Sequence, residues 1–492
     1  MARLQFFENL KNIGVAVTYD DVRLKSGHSK VEPASVILES KFSRNIPLKI
    51  PIVSAAMDTV TEHKLAIGMA KLGGLGIIHK NLSAEEQAKE VAKVKFHLHG
   101  LIDKPICVYE DETIENIQKR IDEKGWKFHS FPVINRSGKL AGILTKNDFD
   151  FCDDDSQEAK DVMTEQVLTK EPDTPLEDAY DFMKKNKKKI LPLVNDDLEV
   201  VGLYVFSDLA RIIKGKSSMH NVDKKGRLLV GAAIGVGVPN ILRAEMLIKK
   251  QVDVLVIDTA HGDSKAVLDT LMQIKKRFKI DVVAGNISEP DSALRLVEAG
   301  ADGIKVGQGA GSICTTRIIA GIGCPQVSAI YNCASGIGVP VCADGGLRNS
   351  GDIPIAIGAG AHSVMMGGML SGTEESPGEM IFLEGRQWKR YRGMGSLGAM
   401  RAHKESRARY RVTSKKMVPE GVEGMVPYKG RLADVIFQYL GGLRSGMGYV
   451  GAANIEELRE KADFHRITHA GFVESHPHDI HITEASNYTP RE

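Results

Sequence analysis

Short apolar runs recur along the chain, and most lead into an amphipathic stretch. IPIVSAAM (Ile50 to Met57) precedes a helical pattern from about Thr61, and LGIIHK (Leu75 to Lys80) precedes SAEEQAKEVAKV. Farther on come RLLVGAAIG, VDVLVIDTAHGD, IDVVAGNIS, GIKVGQG, VPVCADGG and HSVMMGG. Each is rich in β-branched residues and ends in Gly, Asp, Asn or Ser. Helix-length segments such as SKAVLDTLMQIKKRF and EPDSALRLVEAG follow most of them. Buried strands alternating with helices predict parallel pairing with helices outside. Eight such strands favour an α/β fold, a (β/α)8 TIM barrel, over an open sheet. Its chemistry would lie at the C-terminal strand ends, where phosphate sites after strands seven and eight are common. ADGG and MMGG are the leading phosphate candidates, because exposed backbone N–H groups there can face an anion.

The pattern breaks between the second and third strands, over residues 96–222. This stretch holds an internal repeat: FPVINRSGKLAGILTKNDF is matched by LPLVNDDLEVVGLYVFSDL, and the helices DETIENIQKRI and DTPLEDAYDFM precede them. Two β–β–α copies, at about 96–155 and 156–222, predict an inserted α+β domain. It would split the barrel into residues 1–95 and 223–492. The region from about Glu374 to Tyr439 lacks clean alternation and is expected to be a long functional loop, with a flap over about 385–430.

Composition narrows the class. Hydrophobic residues make up 42% of the 492 and charged residues 26%, which suits a globular protein. The formal net charge of +2 gives no electrostatic case for nucleic acid or an acidic membrane. The run KKNKKK (Lys184 to Lys189) reads as a solvated helix end. The six cysteines show no CxxC pair, zinc spacing or disulfide framework. With no signal-like segment, this points to a reducing cytoplasm. No apolar run is long enough to span a bilayer.

One stretch carries candidate chemistry: GQGAGSICTTR, Gly307 to Arg317. A cysteine follows a run of alternating glycines. Taken alone, Cys314 is more often a small buried hydrophobe. On a loop shaped by glycines to hold an anion or a cation, it becomes a candidate nucleophile.

Several motifs in order resemble one family. SAAMDTVTE, GIIHKN, GRLLVGAA, DTAHG, AGN, GSICTTR, ADGG, YRGMGSLGAM and PEGVEGMVPYKG are similar to those of inosine-5′-monophosphate (IMP) dehydrogenases of the bacterial type. The likeness extends over nearly the whole chain. The inserted repeat resembles a tandem pair of cystathionine-β-synthase (CBS) domains. The resemblance implies oxidation of IMP to XMP with NAD, through a covalent adduct on Cys314 that water then hydrolyses. This would be the committed step of guanine nucleotide synthesis.

The resemblance also implies roles residue by residue. Thr316, Arg409, Tyr410 and Glu420 match groups that activate water, with Arg409 and Tyr410 on the flap. Ser312 and the amides of Gly345, Gly346, Gly367 and Gly368 match the phosphate site. Asp344 matches the ribose ligand. Met57, Tyr391, Gly393, Met394, Gly395 and Glu420 match further nucleotide contacts. Asp258, Asn286, Gly307 and Gly309 match the NAD site. Gly309, Gly311 and Cys314 match carbonyl ligands of K+, completed by Glu474, Ser475 and His476 of a neighbouring subunit. That sharing implies a homo-oligomer, and the resemblance implies a homotetramer, two of which CBS contacts can stack into an octamer. In the insertion, Thr145, Asp148 and Asp208 match positions that bind ATP or GTP, although Val205 stands where the second copy needs a hydroxyl.

Two departures matter. Gly368 occupies a place where dehydrogenases usually carry Ser, and GGML resembles the form of GMP reductase, the nearest rival reading. Gln308 and Ala310 replace the more usual Ile and Pro. Arg409-Tyr410 and YRGMGSLGAM favour the dehydrogenase. A catalytically quiet purine-nucleotide sensor is the third reading, and the presence of Cys314, Arg409 and Tyr410 counts against it.

Overall fold

The computed structural model describes residues 2–97, 100–102, 105–126, 128–214, 218–410, 417–483 and 487. Residues 411–416 of the expected flap lie outside them. The chain divides into two compact units, residues 1–97 with 219–492, and residues 98–218.

The larger unit is a closed barrel of eight parallel strands. In chain order they are β1 (Ile52–Ser54), β2 (Leu75–Ile78), β3 (Gly231–Ile234), β4 (Val254–Asp258), β5 (Asp281–Ile287), β6 (Gly303–Val306), β7 (Val341–Asp344) and β8 (Ser363–Met366). β8 closes on β1 through Val364↔Ile52 and Met366↔Ser54. The outer helices are α1 (His63–Lys71), α2 (Ala84–Lys95), α3 (Val238–Lys249), α4 (Lys265–Arg277), α5 (Pro290–Glu298), α6 (Gln326–Ala334), α7 (Asp352–Ala359) and α8 (Leu432–Val450).

Inside, Val53, Leu75, Ile77, Val254, Val256, Val283, Cys342 and Met365 form one apolar cluster. Phe42, Ile46 and Leu48, from the antiparallel pair Ser40–Ser43 and Ile46–Leu48, join it. The layer toward the C-terminal ends is different. There β6 presents Lys305, and a Cβ on Gly285 of β5 would stand 2.8 Å from the Lys305 Cβ. Glycine on one strand thus makes room for a buried cation on the next.

The region after β8 is more ordered than its sequence suggests. Met380–Leu383, Arg386–Arg392 and Glu423–Pro427 form a three-stranded antiparallel sheet. Short helices Leu397–Ala402 and Lys404–Arg409 lie between its last two strands. The expected loop up to Tyr439 is corrected at its end, because Leu432 to Tyr439 begin α8. The glycines of LADVIFQYLGGLRSGMGYV obscure the helical period.

In the smaller unit, Val108–Tyr109, Phe131–Ile134 and Leu140–Leu144 make one sheet. Ile190–Val194, Val200–Val205 and Leu101–Ile102 make the other. Leu101–Ile102 falls within the span expected for the first copy yet pairs with Leu203 and Tyr204 of the second. Thr164 pairs back onto Ile143 of the first. The copies therefore interlock, and a cut at 155/156 does not separate them. Lys184 to Lys189 are exposed around the end of the helix Leu176–Lys185.

Candidate active site

Cys314 sits on the loop after β6. Gly307 and Gly309 have φ of +145° and +71°, which side chains other than glycine resist. The Cys314 amide donates to the Gly311 carbonyl at 3.0 Å. Two arms of the region after β8 clamp the loop. Thr315 N–H donates to the Glu420 carbonyl (3.0 Å), Val422 N–H to Ile313 (3.0 Å), and Glu420 N–H to Gly395 (3.1 Å).

The Cys314 Sγ lies 3.2 Å from the Thr316 hydroxyl, which donates to Glu420 Oε2 at 2.7 Å. A thiol, a hydroxyl and a carboxylate so arranged can move a proton away from sulfur. The other cysteines lack this setting. Burial pushes Cys107 and Cys324 up to about 11 and Cys342 up to about 12. All six are free thiols.

Beside the thiol is a cavity of about 120 Å³ that reaches Met57, Asn286, Asp344, Tyr391, Met394 and Tyr410. Gly345 and Gly346, after β7, have φ of +87° and +83°. A Cβ on Gly345 would stand 3.2 Å from the Gly311 amide nitrogen. After β8, a Cβ on Gly367 would stand 3.0 Å from the Tyr391 hydroxyl, and one on Gly368 would stand 3.1 Å from the Ser312 hydroxyl. Glycine, Ser312 and Tyr391 therefore converge on one spot. Burial pushes Tyr391 up to about 12, against hydrogen bonds to Ser312 and the Gly368 backbone. It remains a phenol, able to donate to an anion.

Behind the cavity lies a charged floor. Lys305, 2% exposed, pairs with Asp258 Oδ1 at 2.9 Å and Asp344 Oδ2 at 2.5 Å and contacts Asn286 Oδ1. Asn286 Nδ2 donates to Asp344 Oδ2 (2.9 Å) and to the Gly307 carbonyl (2.7 Å). This network fixes the Asp344 carboxylate at the cavity wall. Arg409 pairs with Asp258 Oδ2. Lys80 Nζ donates to the Asp258 carbonyl at 2.7 Å.

A second cavity, about 430 Å³, is bounded by Thr259, His261, Ser264, Gln308 and Ile322 on the barrel and by Ala408–Tyr410 on the flap. The Ser264 hydroxyl is buried there without a hydrogen-bond partner. Gln308 holds its place through the Ala260 carbonyl and His261 Nδ1, each at 3.2 Å, and through Ser288 at 2.8 Å. The flap is anchored outside this cavity. Arg392 Nη2 pairs with Asp58 Oδ2 at 2.7 Å, and Asn81 Nδ2 donates to the Ser406 hydroxyl at 2.9 Å. Burial alone would raise Asp58, but Arg392 and Asn81 outweigh it and hold the carboxyl below its usual range.

The structure thus brings Met57, Asn286, Gly307, Gly309, Gly311, Ser312, Cys314, Thr316, Asp344, Gly345, Gly346, Gly367, Gly368, Tyr391, Gly393, Met394, Gly395, Arg409, Tyr410 and Glu420 to one end of the barrel, with Asp258 beneath them. Gly309 and Gly311 line the small cavity, and the Gly311 carbonyl accepts the Cys314 amide. No group of three or more His, Cys, Asp or Glu able to hold a metal occurs among the described residues. Glu474, Ser475 and His476 lie instead at the end of the helix His469–Glu474, where Ser475 Oγ donates to Gly471 (2.7 Å). In the smaller unit, Thr145 binds Asp148 Oδ2 through its amide (2.6 Å) and hydroxyl (2.8 Å), and Asp208 lies in the first turn of the helix Phe206–Lys214.

Sequence reasoning missed Lys80, Lys305 and the Asp58–Arg392 pair. A lysine inside the apolar strand IKV was the available signal for Lys305, since buried lysines need partners.

These features define a (β/α)8-barrel protein with a loop thiol at the strand ends and an arm laid across its mouth. Residues 16–478 match the family described as IMP dehydrogenase / GMP reductase domain, and the chain belongs to that family. It is 50% identical over 481 residues to an inosine-5′-monophosphate dehydrogenase of Helicobacter pylori, covering 96% of this chain and 98% of that one. It is 48% identical over 486 residues to one of Aquifex aeolicus, covering 97% and 98%. It is also similar to the crystal structure of a cysteine-to-alanine variant of GMP reductase from Trypanosoma brucei in complex with guanosine 5′-monophosphate. That match has a TM-score of 0.82 and 38% identity, over 96% of this chain and all of the other. No helix among the described residues is long and apolar enough to cross a membrane.

Proposed function

We propose that the chain oxidises IMP to XMP with NAD, a step of guanine nucleotide synthesis in the cytoplasm. The named relatives support the activity, and the Cys314–Thr316–Glu420 chain beside the small cavity is the observation that carries it. The Gly345–Gly346 and Gly367–Gly368 turns with Ser312 would hold the phosphate, and Asp344 the ribose hydroxyls. Cys314, giving up its proton toward Thr316 and Glu420, would add to C2 of the purine. NAD, when bound, accepts the hydride from C2. The orphaned Ser264 hydroxyl and the apolar walls of the larger cavity fit such a dinucleotide.

The C2–S bond would remain after the dinucleotide leaves. Arg409 and Tyr410 then take the place they have here. Water attacks C2, its protons pass to the Arg409–Tyr410 or Thr316–Glu420 groups, and the thiol departs to release XMP. Arg409 on Asp258 and a cofactor ribose on Asp258 exclude each other, so the flap would separate the two steps. K+ on the Gly309, Gly311 and Cys314 carbonyls, a homotetramer completing that site through Glu474–His476, and purine nucleotides on the paired CBS copies belong to the same reading.

The test is absorbance at 340 nm with IMP, NAD and K+. A steady rise with XMP as product is expected. Gly368 and the similarity to a GMP reductase favour one alternative, deamination of GMP with NADPH. No rise, with a fall at 340 nm on GMP and NADPH, would establish that reading instead.

A further inference from the structure

Three cations converge on Asp258. Lys305 holds Oδ1, Arg409 holds Oδ2, and Lys80 donates to the carbonyl oxygen. Lys80 follows β2, is 1% exposed, and has no part in the chemistry proposed above. The charges of Arg409, Arg243 and Lys305 oppose that of its ammonium, whereas Glu405 favours it. Glu405 is shared with Arg243 at 3.2 Å. Arg409 and Glu405 both ride on the flap helix Lys404–Arg409, and of the two Arg409 has the stronger influence on Lys80. Flap closure therefore brings net positive influence to a buried cation that forms no ion pair among the described residues.

The geometry points to Lys80 as a positioning residue that biases the flap: a charged Lys80 and a closed Arg409 oppose each other, so the flap is held shut more firmly once Lys80 has lost its proton. Burial first, and then Arg409, push the Lys80 ammonium down to about 7 in this closed arrangement. Withdrawal of Arg409 raises it. The group is thus less basic when the flap is closed, and closure is favoured as pH rises through 7 and disfavoured below it. His403, at the start of the flap helix, is held below its ordinary range by burial, against the pull of Asp58. The inference rests on the flap role proposed above, but its test reads the flap without turnover.

The experiment is amide hydrogen exchange of residues 404–410 in the full-length protein with IMP bound, at pH 6.5 and 8.5, corrected for intrinsic rates. Protection of the wild-type flap should rise with pH, by as much as about tenfold. Lys80→Met should show the high value at both pH values, and Lys80→Arg the low value at both. Equal wild-type protection at the two pH values overturns the proposal even if neither variant folds, and so does a pH dependence that survives in Lys80→Met. Failure of the parent reading would be seen separately, as no NADH from IMP and NAD.

Discussion

At the scale of single residues, Cys314 and Gly395 show how little freedom the site has. Cys314 is the half-exposed cysteine with a hydrogen-bonded path to a carboxylate, through Thr316 to Glu420. Cys314→Ala should lower turnover by more than ~10³-fold, because no other group can carry the covalent step. IMP binding should survive, since the phosphate and ribose contacts lie elsewhere. Calorimetry with IMP beside a 340 nm assay checks both halves, and retained turnover would remove Cys314 from the mechanism. Gly395 constrains the flap. A Cβ there would lie 2.5 to 2.7 Å from ring atoms of Tyr410, so Gly395→Ala must push Tyr410 away. Displacement of Tyr410 from the water-activating place proposed for it should slow hydrolysis roughly 10²-fold. Hydride transfer, for which the proposed mechanism has the flap out, should change little. Stopped-flow absorbance should then show a larger NADH burst ahead of a slower steady state; equal slowing of both phases would count against the flap role.

At the scale of elements, the eight strand runs and their helices were legible because buried parallel strands are short, continuous and bounded by turn residues. The eighth outer helix was not, because Gly441, Gly442, Gly446 and Gly448 interrupt its period within Leu432–Val450. Gly446 and Gly448 are there because Pro354 and Pro33 pack against them, at 2.9 and 2.8 Å from the Cβ each would carry. Such tertiary reasons do not show in a one-dimensional pattern. Motif residues on loops were legible as a set, whereas Lys80 and Lys305 were hidden inside strand-like runs. The join of β7 to β8 supplies a pH prediction. His362 Nδ1 accepts the Val341 amide at 3.1 Å, and the His362 amide donates to the Val341 carbonyl at 2.8 Å. Burial, helped by Arg459 and Lys41, pushes this imidazole down to about 3. The unfolded chain binds a proton near pH 6.5 that the folded chain refuses, so stability is full above 6.5 and falls as pH drops from there toward 3. By pH 5 the loss from this group should be about 1–2 kcal/mol. His362→Gln should flatten that part of the stability curve in urea titrations from pH 7 to 5. An unchanged slope would mean that the imidazole accepts its proton in place.

At the scale of the whole molecule, the insertion poses the main question of independence. All eight barrel strands and all eight outer helices belong to the unit formed by residues 1–97 and 219–492. Among the described residues of 98–218, none contributes a strand to the barrel. The chain leaves this unit just after α2 and returns just before β3, and one buried side chain ties the two ends. Lys95, near the exit, holds Asp223, near the return, at 3.0 Å, and Asp253 at 2.8 Å. Asp223 also takes Arg227 at 2.7 Å. The Asp253 carboxyl further accepts the Val230 amide at 2.8 Å, just ahead of β3. These bonds fix the return point without help from the insertion. Excision at points already held together leaves the fold intact, as insertions at surface connections generally allow. A chain with residues 98–218 replaced by a short Gly-Ser linker should therefore fold, and its turnover of IMP should be of the same order as that of the full chain. Any response of turnover to ATP or GTP should vanish, because Thr145, Asp148 and Asp208, the nucleotide positions proposed above, leave with the insertion. Steady-state kinetics of the two proteins, with and without those nucleotides, decide the matter. Loss of basal turnover in a folded excised chain would make the insertion part of the catalytic machinery. A nucleotide response that persists would place the regulatory site on the barrel.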